Sequence, residues 1–352
     1  MAYATINDPS AHFQVKKYTG NGSSNHAITF DGNSNMRPDW LWNKVTSEAD
    51  SHATFDSSRG LTKILYPNLN LAEGTDSNGN IESLDSNGFT VGGNQQYANR
   101  NGATQITWAW KGNGGTTSTD SNGTQTSTVQ VNAAAGFSIT TFAATNSAGQ
   151  TVGHGLGAAP DMYLWKSRDR ADLWYVYHRS IGPSKYLRLN DINTASTNTN
   201  VWSNTDPSST LIYYGGNSLV GSSSENTIIY SFKSIQGYSK FGKYKGNGDA
   251  DGTFVYLGFK PAWLLIKGSD VAGYWVMIDN KRDLPNGTGG RLGAQATDAE
   301  YGNANVDLLS NGFKIRASGS DSDTNQDGNV YTYAAFASEP LVGTNNVFSL
   351  AQ

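Results

Sequence analysis

The stretch Pro38-Asp39-Trp40-Leu41-Trp42-Asn43-Lys44 occurs three times in altered form. It returns as PDMYLWK at 160–166 and as PAWLLIK at 261–267. Each copy opens on a proline (Pro38, Pro160, Pro261) and closes on a lysine (Lys44, Lys166, Lys267). A polar residue stands 18 positions after each proline: Asp56, His178 and Asp279. Chance does not hold such spacing three times, so the chain reads as one unit of about a hundred residues used three times. That period exceeds the roughly 20–50 residues of solenoid repeats, which makes the unit a small domain rather than one turn of a superhelix.

The likeness extends outward from the heptapeptide. YTGNG (18–22) and YKGNG (244–248) precede it, with FAATNSAG (142–149) as the divergent middle version. LDSNGFTVG (84–92), YYGGNSLVG (213–221) and LLSNGFKIR (308–316) follow it, and each unit closes on an aromatic strand such as ITWAWKG (106–112). The units are placed at 14–112, 137–237 and 238–340. Residues 1–13 are left as an N-terminal docking segment, 113–136 as a Gly/Ser/Thr-rich linker and 341–352 as a C-terminal tail. The linker composition suits a flexible connector or a solvent-exposed strand arm.

Apolar residues alternate or form short aromatic and β-branched runs bounded by Gly, Asn, Asp or Pro, and helical periodicity is nearly absent. Asn-Gly recurs at 21, 78, 87, 101, 113, 122, 247, 286 and 311. Between such runs this dipeptide signals tight hairpins, because a type I′ turn needs φ > 0 at both central residues. The prediction is an all-β protein of three consecutive antiparallel β-sandwich modules, two sheets each, with aromatics between them. Asp191–Ala195, Gly293–Tyr301 and Leu69–Gly74 are the only stretches that suit a short helix.

Bulk properties narrow the function. Charged residues make up 15% of the 352, yet aromatics reach 11%, which is not the makeup of a disordered chain. A net charge of −4 argues against nucleic acid as a partner. Lys240, Lys243 and Lys245 read as a solvated strand face. The absence of cysteine excludes disulfides and thiolate metal sites. No run of 18 apolar residues suggests a membrane helix, and the start lacks a secretory signal pattern.

No position announces catalysis. The Asp56/His178/Asp279 position is the first place to look, but His replaces Asp in the middle copy, and Arg59 and Arg282 give way there to Ile181. A repeated Asp…Arg pair reads as an ion pair fixing a turn. The repeated lysines read as strand-end residues whose stems lie over aromatics while the ammonium snorkels to water. Asp321, Asp323, Asn325 and Asp327 alternate as oxygen ligands for calcium would, but the glycine and glutamate of a helical calcium loop are missing. None of the five histidines pairs at metal spacing, and there is no Gly-x-Ser-x-Gly elbow and no phosphate loop. Trp110, Trp174, Trp202 and Trp275 are the candidates for stacking on sugar rings; the alternative is that they build the core. No cofactor is expected.

The ordered motifs YTGNG, HATFDSSRG (52–60), LDSNGFTVG, WAWKG, STVQVNAAAGFSI (127–139), VGHGLGAAPD (152–161), IQGYSKFGKYKGNG (235–248), GFKPAWLLIK (258–267), VDLLSNGFKIR (306–316) and AFASEPLVGTNNV (335–347) run the length of the chain. With them the sequence resembles a family of bacteriophage structural proteins, found above all in phages of marine bacteria and cyanobacteria and often described as tail-fibre-like. That resemblance implies concanavalin- or jelly-roll-like sandwiches and a non-enzymatic virion component assembled in the host cytoplasm and released by lysis. The expected partners are other virion proteins, further copies of the chain and host surface glycans. Tail-fibre adhesion is the favoured role, capsid decoration the alternative and polysaccharide depolymerisation a second alternative. The heptads or β-helix repeats of a fibre shaft are lacking, which leaves a tip, collar or capsid position.

Overall fold

The computed structural model describes residues 4–222, 224–282, 290–302, 305–319 and 321–342. The protein is all-β, and its described helices are two single 3-10 turns, Pro9–Ala11 and Ala133–Ala135. None of the three stretches suited to a short helix becomes one. Residues 296–298, which follow a turn, are irregular connection like 71–73 and 192–195, and Thr297, Glu73, Ile192 and Ala195 are held through their backbones to a neighbouring unit.

Three inner sheets carry the architecture. In the first, β1 (Phe13–Thr19), β2 (Trp40–Val45), β3 (Ala53–Asp56) and β4 (Thr104–Trp110) take the spatial order β1-β4-β2-β3. Two further strands follow, β5 (Ser118–Asp120) and β6 (Ser127–Asn132). The second sheet uses β7 (Phe137–Ala144), β8 (Met162–Ser167), β9 (Tyr175–His178) and β10 (Glu225–Phe232) in the order β7-β10-β8-β9. The third uses β11 (Ser239–Lys245), β12 (Phe259–Gly268), β13 (Val276–Asp279) and β14 (Val330–Pro340) in the order β11-β14-β12-β13. Register agrees as well as order. Trp40, Met162 and Trp263 pair on one side with Trp110, Phe232 and Phe336, and on the other with Asp56, His178 and Asp279. Pro261 lies inside β12 at a register shift, as expected of a residue with no N–H to give the ladder. Pro38 and Pro160 lie just outside their strands.

Each inner sheet is buried on both faces. One face meets a smaller outer sheet, of three strands in the first and third units and two in the second. Separate clusters fill these spaces, around Phe55 and Phe89, around Trp165 and Trp202, and around Ile266 and Phe313. The opposite faces of all three inner sheets meet in one shared core. It holds Trp40, Trp42, Trp108 and Trp110 from the first, Met162, Leu164, Tyr230 and Phe232 from the second, and Trp263, Leu265, Ala334 and Phe336 from the third. Rings cross every boundary: Trp40 stacks on Tyr230 at 4.3 Å, Trp110 meets Trp263 edge-on at 5.6 Å, and Phe232 meets Phe336 at 5.9 Å. Burial on two sides explains why WLWNKV and MYLWKS read as unbroken runs rather than clean alternation.

Three expectations need correction. Residues 113–136 are no loose linker: β5 and β6 extend the second inner sheet beyond β7, so the strand-arm reading describes them. The described part of the N-terminal segment is no free docking arm either. Ala4, Ile6 and Pro9 are buried, Ile6 joins the shared core and the Thr5 N–H donates to the Gln236 carbonyl at 3.0 Å. Of the C-terminal tail, residues 343–352 lie outside the described part. The Asn-Gly turns differ in detail too: Gly22, Gly79, Gly88, Gly102, Gly114 and Gly248 have positive φ, but the asparagines before them do not, so these are not type I′ turns.

Candidate functional site

The Asp/His position lies at the boundaries between units, and each copy faces the next unit. Asp56 Oδ1 accepts the N–H of Ser58 and Arg59, and its Oδ2 accepts Arg59 Nε–H and, at 2.7 Å, the Tyr230 hydroxyl of the second unit. Asp279 repeats the pattern with Lys281, Arg282 and, at 3.1 Å, the indole N–H of Trp108 in the first unit. Both Asp–Arg pairs are fully buried. Trp108 and Tyr230 occupy the same register position, and the third unit has Ala334 there, with no donor. A carboxylate in the second unit would find no donor there, only the Tyr333 carbonyl. His178 solves this: its Nδ1 accepts the Ser180 N–H and its Nε2–H donates to the Tyr333 carbonyl at 3.2 Å. The exchange of Asp for His, and of Arg for Ile181, follows from what the neighbour offers.

A second ring of contacts runs the opposite way around. Four residues before the Asp/His position stand His52, Trp174 and Trp275. Each donates a ring N–H to a backbone carbonyl of another unit: His52 to Gly293 at 3.1 Å, Trp174 to Tyr66 at 2.9 Å and Trp275 to Arg188 at 2.8 Å. His52 Nδ1 accepts from the Trp42 indole, so that ring is neutral, and burial followed by the Lys44 charge holds its pKa well below the usual value. Burial likewise lowers His178 to about 4. A third set lies in the main chain: the carbonyls of Thr46, Arg168 and Ser269, each eight positions past its proline, accept the N–H of Glu300, Glu73 and Ala195, all at 2.8 Å. Glu73 adds a fork to Arg168 at 2.7 and 2.8 Å. Burial alone would raise its carboxyl pKa, but Arg168 and Arg59 outweigh that and lower it.

The repeated lysines do not snorkel. Lys44, Lys166 and Lys267 are fully buried, because connecting loops fold over them. Their ammonium groups donate to carbonyls: Val45 for Lys44, Arg170 for Lys166, and Gly268 with Ile192 of the second unit for Lys267. Burial pushes all three down to about 8.

The other candidates are also structural. Trp110, Trp174, Trp202 and Trp275 are no more than 2% exposed, so none offers a ring face to a sugar. Phe254 and Tyr256 are the exposed large aromatics among the described residues. Asp321 and Asp323 both pair with Arg291, Asp323 also accepts the Tyr274 N–H, and Asn325 ties Ala317 and Asp249 together through their carbonyls. These groups serve the loop, and the described residues hold no cluster of three or more His, Asp or Glu side chains suited to a metal. Among the described residues no helix is long and apolar enough to cross a membrane.

Sequence reasoning missed the His52/Trp174/Trp275 set, although its fixed offset from the Asp/His position was available. It also missed Gln130 on β6. There Oε1 accepts the N–H of Asn113 and Gly115, while Nε2–H donates to the hydroxyls of Ser57 and Ser58. Two surface clefts were not foreseen: one of about 180 Å³ between the first and third units beside Gln14 and Lys281, and one of about 410 Å³ on the second unit.

No curated protein and no solved structure matches the chain. A family model described as a domain of unknown function, DUF7483, matches residues 8–340, which takes in all three inner sheets. The chain therefore belongs to the DUF7483 family.

Proposed function

We propose that the protein is a non-enzymatic structural component of a bacteriophage particle, a tail-fibre-like part that contacts host surface glycans. The observation that carries this reading is the use of the repeated polar residues. Asp56, Asp279, His178 and the three lysines all hold units together or brace turns, and none faces a substrate-sized space. A body closed on itself by such contacts suits a rigid part built into an assembly. Its connecting loops, rich in Gly, Asn, Ser and Thr, are what remains for contact with the outside, and several weakly binding copies would add by effective concentration. Capsid decoration is the second reading, favoured by the three like sides of the molecule, which match a threefold position on a shell.

The test is a cryo-EM map of the intact particle with the copy number counted. Density at the tail with tens of copies or fewer supports the first reading, and hundreds of copies on the head support the second. Absence from purified particles overturns both. Release of reducing ends from host polysaccharide by the purified protein would overturn the non-enzymatic assignment.

A further inference from the structure

The three units are most alike in their inner sheets and least alike at one place on the second unit, and a cleft of about 410 Å³ opens there. Two departures from the repeat meet at it. Ala148 and Gly149 end the segment that replaces the YTGNG turn. Gly215 and Gly216 stand where the other units have Ser86-Asn87 and Ser310-Asn311. Thr199, Asn200, Ser203 and Asn204 form the facing wall. The outer sheet here has only two strands, and its end pair, Gln150 with Tyr214, leads straight into the two glycine-bearing turns.

The backbone around the cleft is held in unusual conformations. Gly149, Gly215 and Gly216 have φ of 69°, 106° and 74°, and Ser203 and Asn204 follow at 49° and 48°. Consecutive residues other than glycine in the left-handed region are costly, and this is the one such pair among the described residues. The Ser203 hydroxyl is buried without a protein partner. No atom lies within 4 Å of where a Gly149 Cβ would stand, which leaves its main chain open to close approach, whereas a Cβ on Gly215 would meet the Ser147 carbonyl.

We infer that this cleft is a binding site for neutral carbohydrate. No charged side chain lines it, so an ion would find no countercharge, and nothing apolar larger than a methyl group lines it, so an apolar side chain would gain little by entering. What the walls offer is amides, hydroxyls and main-chain groups, which match the hydroxyls of a sugar. The volume falls within the about 300–1,000 Å³ of ordinary ligand clefts. Trp202, buried behind this wall with its indole N–H on the Lys185 carbonyl, stiffens the wall rather than stacking on the ligand.

The inference rests on the glycan-contact reading, and the experiment separates the two. The purified chain is tested on an array of neutral glucose, galactose, mannose and N-acetylglucosamine oligosaccharides, with alginate and sulfated galactans as anionic controls. Two variants run beside it. Asn200→Ala with Asn204→Gly removes both amides and keeps the left-handed backbone, and Ala148→Trp fills the cleft from an exposed position. The expected result is binding of a neutral oligosaccharide, weakened roughly tenfold or more by the first variant and abolished by the second, with unfolding midpoints unchanged. Equal binding by wild type and both variants overturns the site and leaves glycan contact standing. Binding to the anionic sugars alone overturns the neutral class. Silence of the wild type on every sugar removes the site and the glycan-contact reading together.

Discussion

At the scale of single residues, the buried Asp–Arg pairs are valued by what their loss would strand. Asp279→Asn takes from the fully buried Arg282 guanidinium the nearer of its two carboxylates, leaving Glu300 at 3.7 Å, and weakens the bond to Trp108. We expect a loss of about 3–5 kcal/mol in urea unfolding, the range for breaking one side of a buried pair. The histidines set the acid limit. His178 is held at about 4, burial being the main cause, and His12, His52 and His154 are shifted the same way for the same main reason. A folded value below the unfolded 6.5 means that the unfolded chain holds more protons between the two. Stability therefore falls as pH drops from 6.5 toward 4, by on the order of 3 kcal/mol for His178 alone. The lysines act the same way at higher pH: with folded values about 8 against 10.5, stability rises between those values. Buried tyrosines such as Tyr230 have raised values, so the folded state keeps their protons above pH 10 and stability falls again there. Denaturant titrations across pH should peak near pH 10, and a flat profile from 4 to 7 would show that the histidines do not titrate as neutral buried groups.

At the scale of elements, β6 and its Gln130 show both what sequence reveals and what it hides. Strand character was legible wherever aromatics or β-branched residues ran together, as in WLWNKV, because two-sided burial leaves no polar face to confuse the pattern. It was not legible in STVQVN by composition, since Ser and Thr serve an exposed edge as well as a linker; Asn122-Gly123, between two Ser/Thr-rich runs, was the available signal. The repeat identified the Asp/His position as structural, but no spacing shows that loops would close over Lys44, Lys166 and Lys267. Nor could the count of tryptophans show that a third layer, the shared core, absorbs the rings in excess of what two-sheet modules need. The cleft at Gly215-Gly216 left a trace only as a lapse in the repeat. For Gln130→Ala, four hydrogen bonds are lost and the N–H groups of Asn113 and Gly115 lose their acceptor. Thermal unfolding should show about 1–3 kcal/mol of destabilisation. No change would mean that water replaces the side chain without cost.

At the scale of the whole molecule, the shared core makes the three units one cooperative body. Unfolding followed by tryptophan fluorescence and by circular dichroism should give one coincident transition; three separable steps would contradict the common core. Residues 14–112 made alone should stay partly unfolded and bind a hydrophobic dye, because Trp40, Trp42, Trp108 and Trp110 would lose the partners that cover them. The strand order has a further consequence. In each inner sheet the last strand in sequence, β4, β10 or β14, lies between the first two, so every sheet waits for its latest-made piece. During translation the growing chain must carry unsealed aromatic surfaces, and those of the first two units stay uncovered until β14 leaves the ribosome and brings Phe336 against Phe13, Trp110 and Phe232. Premature termination near the 3′ end of the message would thus spoil the earliest residues along with the latest, which makes completeness of synthesis a condition for any of the polypeptide to mature.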